Sequence, residues 1–134
     1  MGADAHIKTI QTLYEAFGRG DIQAILDSVT DDVDWASEAA LPGAPWWGPR
    51  QGKAGVAAFF EAFGTTMEVL QFDPISFGAN DTEVLAVVAF KVRHRGTGKE
   101  GASNLHHWFQ FRGDLVSFYR GTEDTLQTES LLRG

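Results

Sequence analysis

Residues 102–122 read ASNLHHWFQFRGDLVSFYRGT. Two runs rich in apolar and β-branched side chains flank Gly113-Asp114, a pair that readily reverses a chain. The stretch therefore predicts a hairpin, with strands over 102–112 and 115–122. Upstream, Gly96-Thr97-Gly98 separates it from a long strand over 83–95, and Gly78-Ala79-Asn80-Asp81 separates that strand from another over 67–77. Pro74 cannot donate to a ladder, so it places the 67–77 strand at a sheet edge or at a bulge. Four strands joined by short connections predict an antiparallel meander, followed by a short helix over 125–132.

The N-terminal half has a different period. Ile7, Ile10, Leu13, Tyr14 and Phe17 fall on one helical face, with Asp4 as the expected N-cap and Gly18-Arg19-Gly20 as the stop. Asp21 is expected to cap a second helix carrying Ile22, Ile25, Leu26 and Val29. Val33, Trp35 and Ser37 alternate with Asp34 and Ala36 as in a short strand. Residues 38–52 hold three of the four prolines and read as a loop containing Trp46 and Trp47. Helical spacing returns over 53–63 through Val56, Phe59, Phe60 and Phe63. The fold class is α+β: one curled antiparallel sheet with helices packed on one face, in a single domain over 1–134.

Composition narrows the functions. Eleven basic against eighteen acidic residues give a net charge of −7, which repels phosphate backbones, so nucleic acid is not an expected partner. No apolar run approaches the length of a membrane span, and Met1 to His6 lacks a signal pattern, so a cytoplasmic location is expected. There is no cysteine, no pair of histidines four apart, and no glycine loop joining a strand to a helix. Neither a metal nor an organic cofactor is expected. His106 and His107 are adjacent on a strand and face opposite ways, which rules them out as a pair of ligands for one ion.

The order of elements and several short words resemble the SnoaL-like group of the nuclear transport factor 2-like superfamily. The words are Leu13 to Phe17 with Arg19-Gly20-Asp21, Asp31 to Trp35, Trp47-Gly48, the 52–60 stretch and His107 to Gly113. The resemblance spans nearly the whole chain. It implies a cone-shaped, cystatin-like α+β barrel around an apolar cavity, and a homodimer formed through the outer sheet face. The superfamily includes isomerases, cyclases, dehydratases, hydrolases and binding modules, so the fold does not fix the activity.

Strand alternation nominates the site. Ser103, Leu105, His107, Phe109 and Phe111 share the more apolar face of their strand, which is sent inward. His107 is the ionisable group on that face and a candidate acid or base. The resembling isomerases place an oxyanion-stabilising acid in this stretch. On the last strand, Phe118 and Arg120 follow inward parity if no bulge intervenes, while Tyr119 joins Asn104, His106, Trp108 and Gln110 outside. Many SnoaL-like relatives carry an aspartate near Arg120, and the cation in its place suits an anionic ligand beside His107. A salt bridge from Arg120 to Glu38, Glu123 or Asp124 is the competing reading. Tyr14 lies one residue from the position matching the isomerases' oxyanion tyrosine, so it is either a donor to the ligand or core. Trp35, Ser37, Trp46, Trp47, Phe59, Phe60, Phe63, Phe109 and Phe118 are the candidate ligand-binding residues. Two functions follow: a cofactor-independent isomerase, cyclase or lyase acting on a small hydrophobic carbonyl compound, or a non-catalytic module that binds such a ligand.

Overall fold

A computed structural model describes residues 2–133. Helix α1 (Ala3–Arg19) ends where Gly20 adopts φ +70°, from which its N–H reaches the carbonyls of Ala16 and Phe17. Its N-cap is Gly2 rather than Asp4. Asp4 lies in the first turn, where its carboxylate meets the positive end of the helix dipole. Helix α2 (Ile22–Leu26) is capped by Asp21, whose carboxylate accepts the Ala24 N–H at 3.1 Å.

Strand β1 (Val29–Ser37) starts earlier than alternation suggests, and β2 (Gly48–Gln51) pairs antiparallel with it inside the expected loop. Helix α3 (Gly52–Thr66) leads into β3 (Met67–Ala79), β4 (Glu83–His94), β5 (Glu100–Arg112) and β6 (Leu115–Thr122). Helix α4 (Thr125–Leu132) completes the chain. The sheet order is β2-β1-β6-β5-β4-β3. It curls around the helices without closing, since β2 and β3 remain as edges. Pro74 sits on the edge strand β3, where the register against β4 shifts between Pro74 and Ser76.

The sheet is mixed rather than wholly antiparallel, because β1 and β6 pair in parallel. Hairpin turns set the direction of β3 to β6. No hairpin links β1 to β6; the chain passes through β2, α3 and three more strands before returning beside it.

The core lies between the concave sheet face and the helices. Ile10 of α1, Ile25 of α2, Val33 of β1, Val56 of α3, and Val84 and Val88 of β4 are wholly excluded from solvent. Each such side chain contributes about 1.5–3 kcal/mol of transfer free energy. His6 is also buried, stacked on Phe111 with its Nε2 3.1 Å from the Gly113 carbonyl, and so ties α1 to the β5–β6 turn.

The β5–β6 hairpin determines the site. Arg112 pairs with Leu115 and Phe111 with Val116, as the turn requires, but Gln110 then pairs with Phe118. Ser117 is the extra residue of a β-bulge. Beyond it every side chain of β6 faces opposite to simple alternation. Phe118 and Arg120 point to the outer face, and Tyr119 and Gly121 point inward.

Candidate functional site

An aromatic cavity opens on the concave side, with about 640 Å³ free of protein atoms, its open mouth included. Of the nominated residues, Tyr14, Trp35, Ser37, Trp46, Phe59, Phe60, Phe63, His107 and Phe109 line it. Helix α1 also supplies Leu13 and Phe17, neighbours of Tyr14 on the face already read as buried. Phe72 and Phe90 come from the β3–β4 pair. The polar additions are Tyr119, Thr122 and Glu123.

Three nominated residues are not part of the lining. Arg120 crosses to β1 on the outer face, where it donates to the Asp34 carboxylate at 3.0 Å. Its guanidinium also stacks on Phe118, 4.2 Å from the ring centroid, and Phe118 in turn meets Trp108 edge-on. The Ser117 bulge accounts for both displacements. The expected anion site is therefore absent: among the described residues, no lysine or arginine lines the cavity. Trp47 packs over Gly43 in its own loop, so closely that a Cβ there would lie 2.6 Å from the indole ring.

At one end of the cavity the Tyr14 hydroxyl lies 2.7 Å from His107 Nδ1. Helix α1 and strand β5 meet here from 93 residues apart. Burial, reinforced by neighbouring His106, lowers the His107 pKa to about 3. Burial likewise raises the Tyr14 phenol far above its ordinary range. Both groups are neutral at physiological pH. Their bond takes one of two forms. Either Tyr14 donates to Nδ1 and Nε2 carries the ring proton, or Nδ1–H donates to the phenol oxygen and the phenol O–H is free. Each form leaves one donor and one acceptor for a ligand.

Tyr119 lies alongside, with its ring 5.3 Å from that of His107 and stacked on Trp35 at 4.1 Å. Its side chain folds over Gly121, the register partner of His107, and a Cβ at 121 would collide with the Tyr119 hydroxyl. Burial first, and the charge of Glu123 second, keep this phenol protonated. Its hydroxyl has no hydrogen-bond partner among the described residues.

Glu123, just past the end of β6, is the acidic side chain in the lining. Its Oε1 accepts the indole N–H of Trp46 at 2.9 Å and of Trp47 at 3.2 Å, with the Ser37 hydroxyl at 3.5 Å. Its Oε2 accepts from Thr128 of α4. One carboxylate thus pins the tryptophan loop, β1 and α4 together at the cavity wall. Glu38, the other acid considered near this loop, is exposed, and its backbone N–H bonds the Gly121 carbonyl.

The chain matches the SnoaL-like domain family over residues 10–119. It is similar in structure to a nuclear transport factor 2-like protein of unknown function from Burkholderia pseudomallei. That match has 21% identity and a TM-score of 0.89, and covers 97% of this chain and 98% of the other. A nuclear transport factor 2-like protein of Burkholderia xenovorans gives 22% identity, 99% coverage of both chains and a TM-score of 0.88. TerC, co-crystallised with polyporic acid, gives 22% identity, 95% and 97% coverage, and a TM-score of 0.83. Identities at this level establish a shared fold. No curated protein matches the chain.

Proposed function

We propose, from the premise that the chain belongs to the SnoaL-like family, that its cavity binds a flat, largely apolar carbonyl compound and moves a proton on it without a cofactor. The observation that carries this reading is the neutral Tyr14–His107 pair inside an aromatic cavity. A neutral imidazole or phenol is a strong donor to a carbonyl oxygen in a water-poor site, and its bond strengthens as negative charge develops there. Glu123 supplies the carboxylate that can accept a proton from carbon. The reaction class is enolisation, the step common to isomerase, cyclase and lyase chemistry next to a carbonyl. The aromatic walls supply the affinity, since burying a ring system yields about 25 cal/mol for each Å² removed from water.

Deuterium exchange at the α-carbon of 2-tetralone in heavy water, followed by proton NMR, tests the proposal. The wild type is expected to accelerate exchange over buffer. Tyr14→Phe and His107→Gln are each expected to lower the rate by about a hundredfold to a thousandfold, the range of a lost acid–base or oxyanion donor. A second reading, a binding module without turnover, draws on the four hydrogen bonds already engaging Glu123. Saturable binding of 2-tetralone with no acceleration of exchange would establish that reading and reject catalysis.

We also propose that two copies associate through the outer sheet face. Trp108 is 39% exposed and its register partner Leu85 is 55% exposed, in the middle of a broad sheet. Light scattering is expected to give a species of twice the 14.7 kDa chain mass. Trp108→Glu is expected to shift it to the monomer. A wild-type monomer at tens of micromolar would reject the interface.

A further inference from the structure

We infer that the cavity selects an uncharged ligand, seats its oxygen between the Tyr119 hydroxyl and the Tyr14–His107 pair, and rejects carboxylates. The inference rests on the reading of the cavity as a carbonyl site and adds the charge class of its ligand. It reverses the expectation that placed Arg120 within reach of an anion.

The geometry carries it. Tyr119 is 5% exposed, lines the cavity and spends its hydroxyl on no protein group among the described residues. Gly121 lets that hydroxyl lie flat over β6, directly across from His107 in the register. Two neutral hydrogen-bonding groups therefore converge on one end of an apolar chamber, and both can donate to the same ligand oxygen. A carbonyl, ether, hydroxyl or carboxylate oxygen can accept from both, and a hydroxyl can also accept from one and donate to the other.

The charges decide what that oxygen belongs to. The formal charge in the lining is the carboxylate of Glu123, and Arg120 is held on the far face by Asp34. Trp46, Trp47, Ser37 and Thr128 hold Glu123 by hydrogen bonds from neutral donors, so among the described lining residues no cation cancels its field. A ligand carboxylate would lose its water, gain no counter-charge and face a like charge. At a separation of about 6 Å and an effective dielectric of about 20, that repulsion alone amounts to roughly a hundredfold in affinity. An amide, ketone or phenol of the same shape bears none of this cost.

The experiment compares 2-naphthamide with 2-naphthoate, two probes of nearly the same shape, by quenching of tryptophan fluorescence at pH 7. The wild type is expected to bind the amide at least tenfold more tightly. Glu123→Gln, which keeps an acceptor for the indoles and removes the charge, is expected to shrink that ratio severalfold. Tyr119→Phe is expected to weaken the amide by about threefold to tenfold, the effect of one lost hydrogen bond. Equal or tighter binding of naphthoate by the wild type would overturn the inference, as would an unchanged ratio in Glu123→Gln. The wild-type comparison stands by itself if that variant does not fold. If both probes bind with equal affinity, the charge selection fails while the aromatic carbonyl site survives. If neither binds, the carbonyl site itself fails and the selection with it.

Discussion

Lowering the pH from 7 to 4 is expected to remove up to about 3 kcal/mol of folding stability through His107 alone. In the unfolded chain this histidine takes a proton near its ordinary pKa of 6.5; in the folded protein it resists until about pH 3. Between those values the unfolded state binds the extra proton, so stability rises with pH. The contribution is complete above pH 6.5 and fades as pH falls toward 3, by about 1.4 kcal/mol per unit within the window. For a domain whose total stability is about 5–15 kcal/mol, it is a substantial share. His107→Gln can still accept from Tyr14 but does not titrate. Urea midpoints at pH 7, 5.5 and 4 should therefore fall less steeply for His107→Gln than for the wild type. Parallel lines would show that His107 does not stay neutral in the folded state. The functional consequence is direct, because only a neutral ring has a nitrogen that can accept a hydrogen bond or a proton beside the Tyr14 phenol; a protonated ring has two donors and no acceptor.

What the sequence reveals of this site depends on whether a short-range period survives. Strand β5 has an unbroken register against β4 over Glu100 to Gln110, so simple alternation correctly sends Leu105, His107 and Phe109 inward. The same rule applied to β6 fails at one residue. Counting back from Gly113-Asp114 places Arg120 opposite His107, whereas the bulge at Ser117 places Gly121 there. A signal was present: a glycine inside a strand often marks a close approach, and here Tyr119 lies over it. Glu123 follows the last strand residue, where no period reaches, and its importance comes from partners 76 to 86 positions away. Helical spacing marked Tyr14 as buried, but nothing local distinguishes a core tyrosine from one that meets a histidine on a distant strand. The parallel pairing of β1 with β6 is likewise a long-range choice that no local period encodes.

Glu123→Ala is expected to cost about 2–4 kcal/mol, because removing this half-buried carboxylate leaves several neutral donors without their acceptor. The carboxylate is the shared acceptor for two indole N–H groups and the Thr128 hydroxyl, with Ser37 at the limit of bonding distance. Removing it leaves the Trp46 nitrogen, on a side chain only 3% exposed, without an acceptor. It also unties α4, whose remaining hold near this point is the docking of Leu131 and Gln127 against β5. Glu123→Gln retains an oxygen for the indoles and is expected to cost only about 1–2 kcal/mol. Guanidinium midpoints for the two variants check the difference, and an alanine variant within 1 kcal/mol of wild type would reject the network. The loss should also be local before it is global. Residues 38–47 are held to the rest of the fold largely through these bonds and through Trp46 packed edge-on against Phe63. Limited proteolysis should therefore cut that loop in Glu123→Ala under conditions where the wild type stays intact. The cavity wall and the stability of the loop thus depend on one carboxylate, so the side chain proposed to accept a proton from the ligand is also the one that shapes the chamber. Its position is fixed by donors from α4, β1 and the tryptophan loop before any ligand arrives, an arrangement suited to a base that must not move when the chemistry begins.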